Sequence, residues 1–188
     1  MMRVLLSERK IYMKKRKTVV FDMDGTLARF HEQANCLEKM WEKGFFSGLK
    51  PYENICEAAK RILNNFSDIQ IIILTAINTE IFHRVKIEKT EWLKTNIGPK
   101  CNDIIFAKVG ESKVEVLSED GKINKDFILI DDYNKNLREW REAGGTSIKF
   151  VNEFNDKGTN GLLWDGFRIR YDFTPERIIS DLSCIANS

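Results

Sequence analysis

Lys17-Thr18-Val19-Val20-Phe21-Asp22-Met23-Asp24-Gly25-Thr26-Leu27 is the stretch from which the rest of the chain is read. Thr18 to Phe21 form a β-branched and aromatic run without polar alternation, the pattern of a strand buried on both faces of a parallel sheet. Two carboxylates one residue apart follow, and Gly25 lets the backbone fold over whatever they hold.

Similar runs recur downstream at Ile69–Leu74, interrupted only by Gln70, and at Phe127–Ile130, with shorter ones at Asp103–Phe106 and Ser147–Val151. Helical patterns lie between them at Tyr52–Asn65, Glu80–Thr95 and Asn134–Ala143, the last stopped by Gly144-Gly145. Alternation of strand and helix implies right-handed crossovers, so the expected fold is α/β, a doubly wound Rossmann-like parallel sheet.

Two stretches break this rhythm. Residues 29–50 follow the first strand directly and read as a short helix, His31–Lys43, then Gly44-Phe45-Phe46-Ser47-Gly48. An insertion there hangs over the carboxyl ends of the strands, where open α/β sheets bind ligands, and is expected to be a small helical cap. Residues 152–173 carry turn signals at Asn160-Gly161 and Asp165-Gly166, which predict a hairpin pairing Leu162–Trp164 with Phe167–Arg170. Thr174-Pro175 then opens a final helix to about Ala186.

The chain has 188 residues, enough for one domain, expected over 17–188 behind a frayed basic lead at 1–16. Net charge is +2, but residues 1–17 carry +6 and the remainder −4. A mildly acidic body suits an enzyme that concentrates cations better than a nucleic-acid binder; the bland reading of the basic lead is a solvated terminus. Apolar runs are too short to span a membrane, no secretory signal is legible, and four widely spaced cysteines match no metal or redox spacing. The expectation is a cytoplasmic protein with reduced thiols.

Asp-x-Asp at a strand end is a weak signal alone. Three further elements follow in order. The second strand ends in Thr75-Ala76, placing a hydroxyl and a backbone N–H where a phosphoryl oxygen could be held; Lys113 follows the third strand; the fourth ends in Asp131-Asp132. In such a set one carboxylate of the first pair could attack phosphorus and the other move a proton, with a magnesium ion between them.

The set resembles the haloacid dehalogenase superfamily of aspartate-dependent phosphatases, whose four motifs are an Asp-x-Asp loop, a Thr or Ser, a Lys and an acidic pair. It is most similar to the cytosolic 5′(3′)-deoxyribonucleotidase family. The segments that carry the likeness are Asp22 to Phe30, Trp41 to Pro51 and Leu129 to Asp132, within residues 17 to 151. The resemblance implies Asp22 as nucleophile through an aspartyl phosphate and Asp24 as general acid and base. Thr75, Ala76 and Lys113 would bind the phosphate, and Asp22, Asp24 (by its backbone carbonyl), Asp131 and Asp132 would surround Mg²⁺. Of the acidic pair, Asp132 is favoured as direct ligand and Asp131 as its support. The implied substrate is a nucleoside or deoxynucleoside 5′-monophosphate. A sugar phosphate or other small phosphometabolite is the rival, and a nucleic-acid end-binding module using the basic lead is the second. Relatives are often homodimers. Departures are a shorter cap, and Arg29 where the animal enzymes carry an acid.

Phe30, Trp41, Phe45 and Phe46 could stack on a base, although an aromatic cluster is more often core. Trp140 and Trp164 read as packing residues, Lys89 as a solvated helix face, and His31 and His83 as neither ligand nor base.

Overall fold

The computed structural model describes residues 17–33, 35–157 and 163–186; the basic lead, and Asn160, Gly161 and Leu162 of the expected hairpin, lie outside them. Six parallel strands form one sheet, β1 (Lys17–Phe21), β2 (Ile69–Ile77), β3 (Ile104–Lys108), β4 (Phe127–Asp131), β5 (Thr146–Val151) and β6 (Phe167–Arg170), in the order β3-β2-β1-β4-β5-β6. The helices are α1 (Cys36–Lys39), α2 (Glu53–Asn65), α3 (Phe82–Asn96), α4 (Lys113–Leu117), α5 (Asn134–Glu142) and α6 (Pro175–Ala186).

The continuous apolar strands feed two cores. Val19, Phe21, Ile71, Ile73, Ile128 and Ile130 point to one face and are covered by Ile55, Ala59 and Ile62 of α2, Trp92 and Leu93 of α3, and Ile178 and Leu182 of α6. Their neighbours Val20, Ile72, Leu74 and Leu129 point to the other face, under Val114 of α4 and Leu137 and Trp140 of α5. Helices on both faces make the sheet doubly wound, as expected. Because β1 lies between β2 and β4, the chain's direction of winding reverses at its carboxyl end, where open α/β sheets form their ligand crevice.

Two details differ from the sequence expectation. The helix read at His31–Lys43 is a 3₁₀ turn, Phe30–Glu32, and the four-residue α1, separated by a stretch in which Asn35 takes a left-handed φ of 56°. The hairpin is replaced by parallel pairing of β6 with β5, from Ile148 beside Phe167 to Val151 beside Arg170, and Trp164 lies outside the strand. Parallel addition buries Ile169 under Ile178 and Leu182, a long-range contact that the turn signals do not encode.

Candidate active site

Each strand end at the crevice delivers one chemical group. Asp22 leaves β1 with its N–H bonded to the Ile130 carbonyl at 2.9 Å, which locks it beside the end of β4. Lys113, the first residue of α4, reaches across and donates to Asp22 Oδ1 at 2.6 Å and Asp131 Oδ2 at 2.7 Å. All three side chains are buried. Asp131 is further fixed by the Tyr133 N–H at 2.7 Å and Asn136 Nδ2 at 2.9 Å, so its oxygens are engaged by the protein. Asp132 accepts from His31 Nε2 at 3.2 Å and from Asn152 Nδ2 at 3.4 Å.

Asp22, Asp131 and Asp132 each offer an oxygen within 4.8 Å of the others, a spacing that can hold a metal ion. The electrostatics fit a cation. Burial raises the Asp22 carboxyl well above its ordinary range; Lys113 opposes the shift, while Asp131, Asp24 and Asp132 add to it. Burial also raises Asp132, against the lowering effect of its His31 bond. Burial alone would lower the Lys113 ammonium, but Asp131 and Asp22 outweigh it and keep the lysine charged. The His31 pKa is raised, first by its bond to Asp132. One ammonium serves two acids, leaving room for a further positive charge.

Gly25 makes this packing feasible. Its φ of 90° lies in the left-handed region, and a Cβ there would strike the Asp132 carboxylate. Its carbonyl accepts from Asn152 Nδ2 at 2.8 Å. Gly25→Ala is therefore expected to cost about 2 kcal/mol or more from strain and displacement of Asp132. The measurement is thermal melting, where a fall of roughly 4–8 °C is expected.

Asp24 faces the other way. Its Oδ2 is paired with Lys89, whose Nζ also donates to Thr75 Oγ1 and to the Ala76 carbonyl, each at 2.8 Å. Lys89 is fully buried and lies 4.6 Å from the Phe46 ring centroid. The lysine read as solvated therefore joins the Asp24 and Thr75 motifs. A signal existed: Val85, Lys89 and Trp92 share one helical face, and that face is inward. Asp24 Oδ1 and Thr26 Oγ1 are buried without partners among the described residues.

The 29–50 insert lies over the crevice. Glu88 of α3 accepts from the Gly44 and Phe46 N–H groups at 2.9 and 3.2 Å. Arg29 stacks 4.4 Å over Tyr52 and pairs with Glu153 at 2.7 Å, and the Tyr52 hydroxyl donates to the same carboxylate at 2.9 Å. Beneath the insert, a cavity of about 380 Å³ runs from Asp24, Ala76 and Asp132 outward. Phe30 and Phe46 line it, as do Met40, Ile77, Ile81 and Val85; Phe45 and the 43% exposed Trp41 are not among the lining residues. Phe45 instead packs edge-on against Phe30 and Phe46. His31 also lines the cavity, and no spacing in the sequence connects it to Asp132.

Comparison with solved structures matches this architecture. A haloacid dehalogenase-like hydrolase from Streptococcus pneumoniae superposes with a TM-score of 0.59 at 13% identity, over 90% of this chain and all of that one. The chain has the fold of the haloacid dehalogenase-like hydrolases. A D,D-heptose 1,7-bisphosphate phosphatase from B. bronchiseptica, complexed with magnesium and phosphate, matches with a TM-score of 0.56 at 12% identity, over 89% of this chain and 98% of that one. A haloacid dehalogenase superfamily hydrolase from Ehrlichia chaffeensis matches with a TM-score of 0.54 at 15% identity, over 94% and 100%. No protein-family profile and no curated protein sequence matches the chain. Among the described residues no helix is long and apolar enough to cross a membrane.

Proposed function

We propose that this chain is a Mg²⁺-dependent phosphomonoesterase acting on nucleoside and deoxynucleoside 5′-monophosphates. The observation that supports this substrate class is the apolar cavity beside Asp24. Its polar lining residues are Asp24, His31, Asn78, Asp132 and Tyr133, while aliphatic and aromatic side chains make up the rest. A sugar presents a hydroxyl on nearly every carbon, and burying these without partners is costly. A nucleobase presents two π faces and tolerates such walls, with Phe30 and Phe46 available to stack. Residues 29–50 act as the cap that closes over the base.

The chemistry divides among the chain's own residues. Asp22 Oδ attacks phosphorus in line, the P–O bond to the leaving oxygen breaks, and Asp24 gives that oxygen a proton. Asp24 then takes a proton from water as the water attacks the aspartyl phosphate, releasing inorganic phosphate and regenerating Asp22. Thr75 and the Ala76 N–H hold equatorial oxygens while Lys113 offsets their charge. The Asp22 and Asp132 carboxylates and the Asp24 carbonyl would hold Mg²⁺, with Asp131 orienting Lys113 and the turn. The bound ion supplies Lewis-acid neutralisation of the phosphate charge.

A panel of nucleoside 5′-monophosphates and sugar monophosphates, with and without Mg²⁺ and with Asp22→Asn as blank, tests the reading. Nucleotides are expected to exceed sugars at least about tenfold in kcat/KM. A sugar phosphate turned over faster than every nucleotide would overturn the substrate class while leaving the phosphatase reading standing.

A further inference from the structure

A second cavity, of about 250 Å³, lies at the edge of the sheet on the face away from Ile148, Phe150 and Ile169. The register sets Lys149 beside Arg168 and Val151 beside Arg170, and strand alternation sends all four side chains to this same face. Its charge is unbalanced. The one carboxylate in the lining, Asp156, is taken by Arg170 at 2.9 Å. Lys149 is 4% exposed, yet among the described residues no carboxylate lies within ion-pair distance of it. Its Nζ donates to the Asp132 carbonyl and to Asn134 Oδ1, which leaves one ammonium hydrogen unassigned. Arg168 donates only to the Trp164 carbonyl and has no acidic partner among the described residues.

Neutral donors are in surplus too. Asn134 is buried in the lining with its oxygen occupied by Lys149, which leaves its amide nitrogen as the end that can donate. Trp164 is 5% exposed, and its buried indole N–H has no partner among the described residues. Arg141 stacks 4.7 Å over the Trp164 ring, its own charge met by Asp165 at 2.9 Å. A buried indole N–H without a partner, and a buried ammonium on which the carboxylates Asp132 and Asp131 act only from beyond ion-pair distance, are costly unless an acceptor arrives.

We propose that this cavity binds a phosphate group, with Lys149, Asn134, Arg168 and the Trp164 indole as its donors. The ligand is either free phosphate or an organic phosphate whose carbon substituent lies against Leu163 and Phe173. The site is separate from the acid cluster, although Lys149 touches both through the Asp132 carbonyl.

The test uses full-length protein in chelator, without substrate, so its outcome is independent of the nucleotide reading. Indole ¹H–¹⁵N signals are followed during titration with inorganic phosphate and, separately, methylphosphonate, with Trp164→Phe assigning its peak. The Trp164 signal is expected to move saturably while those of Trp92 and Trp140 stay fixed. Arg168→Gln should weaken binding about tenfold, the loss of one charge-assisted contact. Movement with both probes supports free phosphate as ligand, and movement with methylphosphonate alone supports an organic one. A Trp164 signal that neither probe moves at about 20 mM, well past millimolar affinity, overturns the site. So does undiminished affinity in Arg168→Gln whose Trp92 and Trp140 signals show it folded.

Discussion

Asp22→Asn is expected to lower phosphomonoester turnover by at least about 10⁴-fold, the scale at which loss of a covalent nucleophile is felt. An amide cannot form the aspartyl phosphate, and no other described carboxylate can replace it from the same position, because the Asp22 N–H is anchored to Ile130. The loss is of chemistry, not of fold. Burial among Asp24, Asp131 and Asp132 pushes the Asp22 carboxyl upward, so in chelator the native site holds an ionised group at a cost. The sign follows: a carboxyl with a raised folded pKa binds more protons folded than unfolded, so its contribution to stability falls as pH rises from the unfolded value through the raised one. Asparagine removes that penalty. Metal-free Asp22→Asn should melt at or above wild type near neutral pH, with the advantage shrinking in acid. Phosphate release assays and melting at two pH values check both parts; substantial residual turnover, or a mutant clearly less stable at neutral pH, counts against this account.

Lys89→Met should produce the next largest effect. The fully buried ammonium touches Asp24, Thr75 and the Ala76 carbonyl at once, and methionine keeps its volume while removing all three contacts. Asp24 is then left among acids with no cation of its own. Breaking a buried pair costs about 2–3 kcal/mol here, discounted from the full value because Asp24 is partly exposed. Without Lys89 the proposed general acid, Asp24, loses its orientation, and kcat should drop about 10²- to 10³-fold. Lys94→Met, on the exposed side of the same helix, is the control and should leave both quantities unchanged. Steady-state kinetics and denaturant melts decide; kcat within about threefold of wild type would remove Lys89 from the machinery.

What could be read from the sequence, and what could not, divides by range. β1, β2 and β4 were legible because burial on both faces leaves an unbroken apolar run, a local signal. Asp22, Thr75, Lys113 and Asp131 were legible because each sits at or just beyond a strand end, where the parallel sheet gathers its ligands. Lys89 was not, because it lies on the inner face that Val85 and Trp92 mark, and a lysine judged by its charge rather than by that face is assigned to solvent. His31 and Asn152 reach Asp132 across long stretches of chain. The parallel seat of β6 is likewise set by α6 closing over Ile169, not by the turn residues that suggested a hairpin.

The central place of β1 also governs how the molecule is made. The first described strand pairs with β2 in register from Lys17 beside Ile69, and with β4 from Thr18 beside Phe127. Both edges of β1 are therefore completed only by segments translated much later, a high-contact-order arrangement that folds slowly. A nascent chain that has not yet emitted β4 carries an apolar strand with one open edge and an acid with no lysine-bridged partner. Such an intermediate is exposed to edge-to-edge association until the ribosome has released the segment around Asp131. The second edge of β1 and the Asp22–Lys113–Asp131 bridge thus close in the same late event of synthesis.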